Sequence, residues 1–380
     1  MNRYKKRRGN GSTPPIPDVD VEELLSREPV EIDLSAIAGY VTGKIILVTG
    51  AGGSIGSELC RQIVSFLPMK LLMVDHDENG MHALQLEWER KFPHARYETI
   101  MADIRDRKRM EDIFGVYRPS IVFHAAAHKH VPLMEKNASE AVKTNIFGTR
   151  HVAECARKFA AERFVFISTD KTVKPSSMMG ASKRIAEMVI QSINETSPTE
   201  FAIVRFGNVI GSRGSVIPLF KQQIREGGPV TVTHPDMVRY FMTIREAVQL
   251  VIQAGAYMQG GETFVLDMGS PVKIAELAHR LIRLSGFVPD KDIAVTYTGI
   301  RPGEKIVEEL LTEEEGIQAT RHDRIWVCNP RIQFAEQMMN SVLDRLEALL
   351  SEQNSMTTSD RIRCLMRQLL PDYSNIGNHS

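Results

Sequence analysis

The segment KIILVTGAGGSIGSEL, residues 44–59, decides which fold this chain adopts. Its first part is apolar like a buried strand, its last part has helical periodicity, and Gly50, Gly53 and Gly56 lie between them at intervals of three residues. Glycine permits a tight turn, lets the backbone approach a pyrophosphate, and lets a helix pack closely on a strand. The free N–H groups at the start of the helix attract phosphate. The segment therefore predicts a dinucleotide-binding unit.

An acidic residue beyond the glycines indicates which dinucleotide binds. Asp75 ends the apolar segment LLMVD, 19 residues after the last of the three glycines. There, its carboxylate would accept hydrogen bonds from the adenosine ribose and repel the additional phosphate of NADP, so the sequence favours NAD. Asp103 and Ile104 are expected to reach the adenine, and Ser54 and Ile55 to complete the loop. The alternatives are a helix cap for Asp75 and a strand-end turn for the later pair.

Strand and helix patterns alternate through the N-terminal half of the chain. Apolar strand candidates are KIILVTG, LLMVD, YETIMAD, SIVFHAA, RFVFIST and EFAIVRFG, with helical periodicity between them. This alternation predicts an α/β fold, a Rossmann-type doubly wound parallel sheet with a smaller C-terminal substrate-binding lobe. The predicted divisions are an N-terminal tail and lead-in (1–43), the NAD-binding domain (44–207), the second lobe interleaved with the last strands (208–332), and C-terminal helices with a tail (333–380).

Bulk composition argues against several classes of protein. The 47 Lys and Arg residues balance 47 Asp and Glu residues, so there is no general basic field for nucleic acid. No run of about 18 apolar residues predicts a membrane span. The four cysteines lack metal or redox spacing, which suits the cytoplasm. The basic start MNRYKKRRGNGS reads either as a solvated tail or as the juxtamembrane part of a longer chain at the inner face of a membrane.

Three histidines in FHAAAHKHVP have the close spacing of metal ligands. His124 lies on a strand candidate, whereas His128 and His130 follow in a loop, and no carboxylate or cysteine cluster completes a ligand set. We therefore predict no metal here. The residues expected beside the cofactor are Ala125, Ala126 and Ala127, and those expected to face the substrate are Lys129 and His130.

The segment STDKTVKPSSMMGASK, residues 168–183, is similar to the catalytic segment of a short-chain dehydrogenase/reductase. Such a segment has a tyrosine four residues before its lysine, but Met179 precedes Lys183 here, and a thioether cannot transfer a proton. Thr169, Asp170 and Lys171 instead offer a hydroxyl, an acid and a base at a strand end. We predict that these three residues do the acid–base work; a surface ion pair is the alternative.

The acid–base hypothesis requires a depressed pKa for Lys171. Lys183, the nicotinamide and desolvation would lower this pKa, and ionised Asp170 would oppose them. Lys183 lies one helical turn after Met179, on the same face, where it would bind the nicotinamide ribose. Met179 is expected to pack beside the sugar or the nicotinamide.

Several motifs together resemble one family. TGAGGSIG, AAAHKHVPLME, NIFGT, STDK, RFGNVIGSRGSVIPLF and RPGEK are similar to motifs of the extended short-chain dehydrogenases that are nucleotide-sugar 4,6-dehydratases, above all the bacterial UDP-N-acetylglucosamine 4,6-dehydratases of capsule and glycan synthesis. The resemblance covers about residues 20–330. Many members carry four N-terminal transmembrane helices, so this sequence resembles their cytoplasmic catalytic part. Met179 resembles the subgroup that retains the configuration at carbon 5; the inverting subgroup keeps the tyrosine.

The resemblance implies UDP-N-acetylglucosamine as substrate, NAD as cofactor and a homo-oligomer. Oxidation at carbon 4 would make the carbon 5 proton removable, and reduction at carbon 6 would follow loss of its hydroxyl. Thr169 would position the carbon 4 hydroxyl and relay its proton to Asp170 or Lys171. Asp170 would then protonate the leaving hydroxyl, and neutral Lys171 would remove the carbon 5 proton.

The resemblance also implies that the second lobe holds the nucleotide. The predicted substrate residues there are Asn208, Arg213, Val216, Ile217, Arg239, Arg301 and Glu304. The three arginines would bind the diphosphate bidentately, the backbone of the two apolar residues would meet the uracil, and the glutamate would hold the ribose. Asn145 in TNIFGT would order the active-site backbone beside the cofactor.

Three other functions stay open at this point. An inverting dehydratase would differ in the configuration of its product at carbon 5. A UDP-sugar 4-epimerase would also oxidise carbon 4, but it has no use for an acid–lysine pair after the threonine. A non-catalytic NAD(H)-sensing scaffold fits the missing tyrosine, but gives no reason to keep Asp170 and Lys171 together with the arginines.

Overall fold

The computed structural model describes residues 30–311, 315–328, 335–352 and 355–374. The β-strands in chain order are β1 (Ile45–Thr49), β2 (Lys70–Asp75), β3 (Tyr97–Met101), β4 (Ile121–His124), β5 (Arg163–Ile167), β6 (Glu200–Arg205), β7 (Asn208–Ile210), β8 (Val230–Val232), β9 (Val238–Arg239), β10 (Phe241–Thr243), β11 (Thr263–Leu266), β12 (Val272–Lys273), β13 (Val295–Tyr297), β14 (Ile317–Ala319) and β15 (Ile325–Cys328). The basic start of the chain and its acidic lead-in PDVDVEELL lie outside the described residues.

The α-helices alternate with these strands in the first half of the chain. In chain order they are α1 (Leu34–Val41), α2 (Ser54–Ile63), α3 (Glu78–Lys91), α4 (Arg107–Tyr117), α5 (Val131–Lys136), α6 (Ala138–Ala141), α7 (Thr149–Lys158), α8 (Met178–Asn194), α9 (Val216–Arg225), α10 (Ile244–Tyr257), α11 (Ile274–Leu284), α12 (Glu336–Leu350) and α13 (Ser355–Leu369). Short 3₁₀ turns cover Val64–Phe66 and Asp170–Thr172, and a π-helix covers Val142–Gly148.

Nine strands form one sheet in the order β14-β15-β11-β6-β5-β4-β1-β2-β3. The strands from β3 to β11 pair in parallel, and β15 and β14 add an antiparallel edge. The six predicted strands are β1 to β6, and their spatial order 3-2-1-4-5-6 is that of a doubly wound dinucleotide-binding sheet. The predicted α/β Rossmann-type fold is confirmed.

Two apolar clusters cover the two faces of this sheet. Side chains of alternate strand residues point to opposite faces, so Leu47 lies in one cluster and Ile46 and Val48 lie in the other. The first cluster includes α7, α8, α12 and α13, and the second includes α1, α2, α3 and α10. Because both faces are covered, the strands read as continuous apolar runs in the sequence.

The second half of the chain contributes to two regions. Strand pairs β7–β10, β9–β12 and β8–β13 lie with α9 and α11 around a separate apolar cluster that contains Phe220, Leu281 and Ile293. In contrast, α10, β11, β14 and β15 belong to the main sheet and its covering helices. The division boundaries after residues 43, 207 and 332 stay predictions. Within the described ranges, no helix has both the length and the apolar character that a bilayer crossing requires.

Candidate active site

The glycine loop after β1 packs against the loop after β4 with no room for a side chain. Gly50 has a φ of 69°, and a Cβ atom on it would lie 2.7 Å from the amide nitrogen of Ala126. A Cβ atom on Gly56 would lie 2.0 Å from the carbonyl oxygen of Gly50. Gly53 is the N-cap of α2 and has no side chain to occupy the first amides of that helix. The loop therefore has the form of a phosphate cradle.

Asp75 lies where the predicted ribose contact requires a carboxylate. Its Oδ2 accepts a hydrogen bond from the amide of Gly52 at 2.9 Å, and its Oδ1 accepts one from the amide of Asp77 at 3.0 Å. Asp77, and not Asp75, is the N-cap of α3. These contacts fix the carboxylate beside the glycine loop, at the carboxyl end of β2.

A pocket opens at the carboxyl ends of β1 to β4, where strand order reverses. It is lined by Gly50, Gly53, Val74, Asp75, His76, Ala102, Asp103, Ile104, Arg105, Ala125, Ala126, Ala127, His128 and Thr144. This is the crevice in which doubly wound sheets bind their ligands. The glycine cradle, the carboxylate after β2 and the thin alanine wall together fit a dinucleotide.

The adenine end of this pocket contains an ion pair. Asp103 accepts hydrogen bonds from Arg105, including one from its Nε at 2.8 Å. Partial burial raises the pKa of Asp103, but the hydrogen bonds from Arg105 outweigh this and leave the pKa below its ordinary value. Ile104 packs against Gly148, on which a Cβ atom would lie 2.6 Å from the Ile104 Cδ1 atom.

Asn145 holds the backbone of His128, which lines the pocket. It lies in the π-helix and is fully buried. Its Oδ1 accepts from the amide of His128 at 2.8 Å, and its Nδ2 donates to the carbonyl of His128 at 3.1 Å and to Ser182 Oγ at 2.9 Å. Asn145 thus orders the backbone beside the cofactor pocket. π-helical turns are frequently found at functional sites.

The three histidines that are spaced like metal ligands in the sequence have different surroundings. His124 is fully buried, and its two ring nitrogens hydrogen-bond Thr49 Oγ1 at 2.7 Å and Thr149 Oγ1 at 3.0 Å. Burial, with a smaller contribution from Lys183, lowers the pKa of His124 to about 3. His130 is exposed, and its ring is 2.6 Å from the Cβ position of Gly214. Among the described residues, no group of three potential ligands is placed to hold a metal ion.

Thr169, Asp170 and Lys171 form a hydrogen-bonded group at the carboxyl end of β5. Thr169 Oγ1 donates to Asp170 Oδ1 at 2.8 Å, and Lys171 Nζ donates to the same oxygen at 2.9 Å. Asp170 is 1% exposed, and its second oxygen, Oδ2, is buried with no hydrogen-bond partner. Gly207 leaves room for this oxygen, because a Cβ atom there would lie 2.9 Å from it. The Lys171 side chain is 18% exposed and that of Asp170 is fully buried, so this pair differs from the surface ion pair that the sequence left as the alternative.

The prediction of a depressed pKa for Lys171 is wrong for this structure. Burial lowers the pKa of Lys171, but the carboxylates of Asp170 and Glu308 outweigh burial, and the net pKa lies above its ordinary value. Glu308 Oε1 is 3.9 Å from Lys171 Nζ. The two residues are far apart in the sequence, which did not predict this contact. The sequence predicts that Lys183 lowers the pKa of Lys171, but Lys183 is not among the groups that shift this pKa. Its ammonium instead contacts the carbonyl of Ile167.

Lys183 is a buried lysine with a strongly depressed pKa. It is 5% exposed, its Nζ donates to the carbonyl of Ile167 at 2.6 Å, and it lies 3.8 Å from the ring centroid of Phe166. Burial lowers the pKa of Lys183 to about 7, although Glu187 opposes this shift. Met179, one turn earlier, is 3% exposed and packs in the apolar cluster of α8.

A buried ionic group next to the Thr169–Lys171 group is absent from the sequence predictions. Glu187 accepts hydrogen bonds from Ser168 Oγ at 2.6 Å and from Thr172 Oγ1 at 3.0 Å, on either side of the Thr169–Lys171 group. Arg205 donates to both carboxylate oxygens of Glu187, at 2.9 and 2.7 Å. In sequence, Lys183 and Glu187 look like an exposed i, i+4 pair, so no local signal identifies this support.

The second lobe brings only some of its predicted residues to the Thr169–Lys171 group. Asn208 Oδ1 accepts from Lys171 Nζ at 3.4 Å, and Arg239 lies 3.7 Å from Glu308. Arg301 pairs with Glu304 at its Oε1, so these two side chains contact one another.

Other predicted residues lie outside the lining of the pocket. The amide of Arg213 donates to Ser54 Oγ at 3.1 Å, and its exposed guanidinium is 3.6 Å from Asp77, beside the glycine loop. Val216 begins α9 and is half-buried, whereas Ile217 is buried in the core of the lobe. Lys129 is exposed as a whole, but partial desolvation of its ammonium by neighbouring atoms and repulsion from Arg213 lower its pKa.

Comparison with known proteins identifies relatives across most of the chain. A family model described as "Polysaccharide biosynthesis protein" matches residues 46–330. Capsular polysaccharide biosynthesis protein CapD of Staphylococcus aureus is 57% identical over 299 residues, which is 78% of this chain and 50% of that protein. The chain thus spans about half the length of this relative. UDP-N-acetylglucosamine 4,6-dehydratase (inverting) of Campylobacter jejuni is 32% identical over 299 residues, 77% of this chain and 85% of that protein.

Solved structures share the fold. Pen from Bacillus thuringiensis superposes with a TM-score of 0.71 at 34% identity, covering 80% of this chain and 99% of that chain. DesIV, a dTDP-glucose 4,6-dehydratase from Streptomyces venezuelae solved with NAD and TYD bound, superposes with a TM-score of 0.61 at 23% identity, covering 67% of this chain and 84% of that chain. This second likeness concerns the fold alone.

Proposed function

The chain belongs to the polysaccharide biosynthesis protein family, and from that premise we propose that it is an NAD-dependent UDP-N-acetylglucosamine 4,6-dehydratase that retains the configuration at carbon 5. The sugar nucleotide is the one named for the Campylobacter jejuni relative. Retention at carbon 5 is favoured by Met179, which stands in place of a catalytic tyrosine and packs in the apolar core.

One contact carries this proposal, the 2.9 Å hydrogen bond from Lys171 Nζ to Asp170 Oδ1. Transfer of a single proton along it converts the ion pair into a neutral amine and a carboxylic acid. These are the base and the acid that elimination of water requires, and they are adjacent in the same turn. A short distance in a buried site allows this exchange without a change of net charge.

The chain's residues then divide the work as follows. Bound NAD would supply the oxidation at carbon 4 and the reduction at carbon 6. Thr169 orients the carbon 4 hydroxyl and, through its 2.8 Å hydrogen bond to Asp170, passes that proton into the Asp170–Lys171 pair, which releases one proton to solvent and so keeps a single proton, on Asp170. The Lys171 amine takes the proton from carbon 5, the electrons of that C–H bond form a C5–C6 double bond, and the carbon 6 hydroxyl leaves as water with a proton from Asp170. When carbon 6 is reduced, the Lys171 ammonium returns a proton to carbon 5 on the face from which it was taken.

Lys183 and Glu187 support this chemistry without contacting the reacting carbons. The Lys183 ammonium lies beneath the end of β5 through its contact with the Ile167 carbonyl, where the nicotinamide ribose would lie. Glu187 holds the residues on both sides of the catalytic group in place. Arg239 forms a charged pair with Glu308, which places it beside this group. We expect its guanidinium to bind the diphosphate.

The reaction is tested by incubating the purified protein with UDP-N-acetylglucosamine and no added NAD. We expect the sugar nucleotide to lose the mass of one water molecule, because the cofactor is regenerated in each cycle and stays bound. The NMR spectrum of the product should show the starting configuration at carbon 5. An inverted carbon 5 would refute retention, and an unchanged mass would refute dehydration.

The proton relay from Thr169 is tested by single-turnover formation of the reduced dinucleotide. We expect Asp170→Asn and Lys171→Ala to slow this step, and Asp170→Asn to lower overall dehydration by about 10²- to 10⁴-fold, the usual contribution of a positioned acid. Asp112→Asn, an exposed carboxylate of α4, is the control and should behave as wild type. If both active-site variants form reduced dinucleotide at the wild-type rate, the relay is wrong.

A further inference from the structure

A segment of the second lobe, residues 303–309, lies against the catalytic turn. The carbonyl of Gly303 accepts a hydrogen bond from Ser176 Oγ at 3.0 Å, and Lys305 Nζ donates to the carbonyl of Val173 at 3.2 Å. On the other side, the carbonyl of Ile306 accepts from the backbone amide of Val238 at 2.9 Å. This segment therefore joins the turn after β5 to β9.

Glu308 is buried at the centre of this junction. Its side chain is 6% exposed, and its Oε1 lies 3.9 Å from Lys171 Nζ and 3.7 Å from Arg239 Nη2. Asp170, Lys171, Glu308 and Arg239 thus form a row of alternating charge with no net charge. A buried carboxylate in van der Waals reach of two cations interacts with them through a low effective dielectric constant.

Lys171 gains positive charge during the reaction, and this gives Glu308 a role. When the neutral amine takes a proton from carbon 5, the new ammonium forms beside the Glu308 carboxylate. We propose that Glu308 is a positioning residue that stabilises the positive charge gained by Lys171 and so makes Lys171 a stronger base for the weakly acidic carbon 5 proton. The inference rests on the proposed function, and it assigns to this glutamate a role in the elimination step.

The groups around the Lys171 ammonium favour this role on balance, since two carboxylates oppose one cation. Asp170 approaches from its own turn, the neutral amide of Asn208 from β7, and Glu308 from the 303–309 segment; Arg239, from β9, is the opposing cation. The two carboxylates keep the pKa of Lys171 above its ordinary value in spite of burial. Arg239 Nη1 also donates hydrogen bonds to the carbonyls of Val238 and Ile306. These bonds hold the guanidinium in place, so packing sets its distance from Glu308.

The first test measures Lys171 itself and does not depend on turnover. Acetic anhydride acylates only unprotonated amines, so labelling as a function of pH, read by mass spectrometry on the peptide that contains Lys171, gives its titration midpoint. We expect Glu308→Gln to lower this midpoint by about one pH unit or more, because removing one charge at this distance has that effect even in a water-like dielectric and a larger one in a buried site. Glu309→Gln is the matched control, since Glu309 pairs with Lys174 and Lys305, and should leave the midpoint unchanged.

The second test follows the elimination step. In Glu308→Gln we expect the maximal rate of carbon 5 proton removal, compared at the optimum pH of each protein and read as deuterium uptake from heavy water into the product, to fall by up to about tenfold, while single-turnover formation of reduced dinucleotide keeps its wild-type rate. The pH at which the rate reaches half its maximum should move down with the labelling midpoint. An unchanged midpoint in a folded Glu308→Gln protein overturns the inference. Failure of the wild-type protein to dehydrate the sugar nucleotide would overturn the proposed function and leave the labelling result to stand on its own.

Discussion

A buried lysine that loses its charge near neutral pH is unusual, and Lys183 is such a residue. Its ammonium lies against the carbonyl of Ile167 and the face of the Phe166 ring. The carboxylate of Glu187 raises the pKa of Lys183, but burial lowers it by more. Removal from water disfavours the charged form, which explains a pKa of about 7. The protein keeps this residue at a cost in stability, as expected of a functional site.

The pH dependence of unfolding should reveal Lys183. The unfolded lysine has a pKa near 10.5 and the folded one a pKa of about 7, so between these values the unfolded chain binds more protons. The free energy of unfolding of the wild-type protein, relative to that of Lys183→Met, should therefore increase from pH 7 towards pH 10.

Urea unfolding at pH 7, 8 and 9 measures this difference. Lys108→Met, at an exposed position of α4, is the control and should show a difference from wild type that is constant with pH. A constant difference for Lys183→Met as well would mean that the lysine is charged throughout this range.

At the scale of one element, the turn between β1 and α2 depends on two close backbone contacts. Gly50 has the left-handed φ that glycine adopts without strain, and the loop after β4 lies against its α-carbon. Gly56 lets the first turn of α2 pass over the carbonyl of Gly50. The motif requires glycine because the backbone approaches too closely for a side chain, and not because the loop needs to be flexible.

Replacement of Gly50 by alanine should remove dinucleotide binding and lower stability. The new methyl group would overlap the backbone of Ala126, and the positive φ alone costs roughly 1–3 kcal/mol. Thermal unfolding and the absorbance of dinucleotide released on denaturation measure the two effects.

Gly39→Ala is the matched control for this prediction. Gly39 lies inside α1, has no heavy atom within 4 Å of its Cβ position, and should gain about 0.5–1 kcal/mol from alanine. Retained dinucleotide in Gly50→Ala would show that the loop can move away from β4.

At the scale of the whole molecule, one buried ionic group links the sheet, a covering helix and the second half of the chain. Glu187 lies on α8 and Arg205 ends β6, and the Arg205 Nη1 also donates to Glu315 at 2.9 Å, 110 residues along the chain. Burial raises the pKa of Glu187, but Arg205 outweighs burial and brings it to about 2, whereas the same pairing raises the pKa of Arg205. The Thr169–Lys171 group is joined to this ionic group through the hydrogen bonds of Ser168 and Thr172 to Glu187.

Glu187→Gln should destabilise the whole protein by about 3–5 kcal/mol at neutral pH, because it leaves a buried guanidinium without its bidentate partner. The folded pKa of Glu187 is depressed, so its stabilising contribution is complete above the unfolded value near 4.5 and is lost as the pH falls towards 2. The difference in unfolding free energy between variant and wild type should therefore shrink below pH 4.5.

Chemical denaturation at pH 7 and at pH 4 measures this change. Glu162→Gln is the control, since Glu162 pairs with Lys44 at the surface and should change stability by less than about 1 kcal/mol. An equal cost for the two variants would show that the buried group contributes nothing beyond a surface ion pair.

The sequence by itself determined the six strands β1 to β6, the glycine loop and the position of the Thr169–Lys171 group at a strand end. These are local properties, because period, turn chemistry and the residue at a strand terminus depend on neighbours along the chain. The antiparallel edge, the π-helix around Asn145 and the partners Glu187 and Glu308 were decided only by the tertiary structure. So was the raised pKa of Lys171, since it depends on a carboxylate brought to 3.9 Å from a distant segment by packing, and charge–charge energies follow distance in space and the local dielectric rather than separation in sequence.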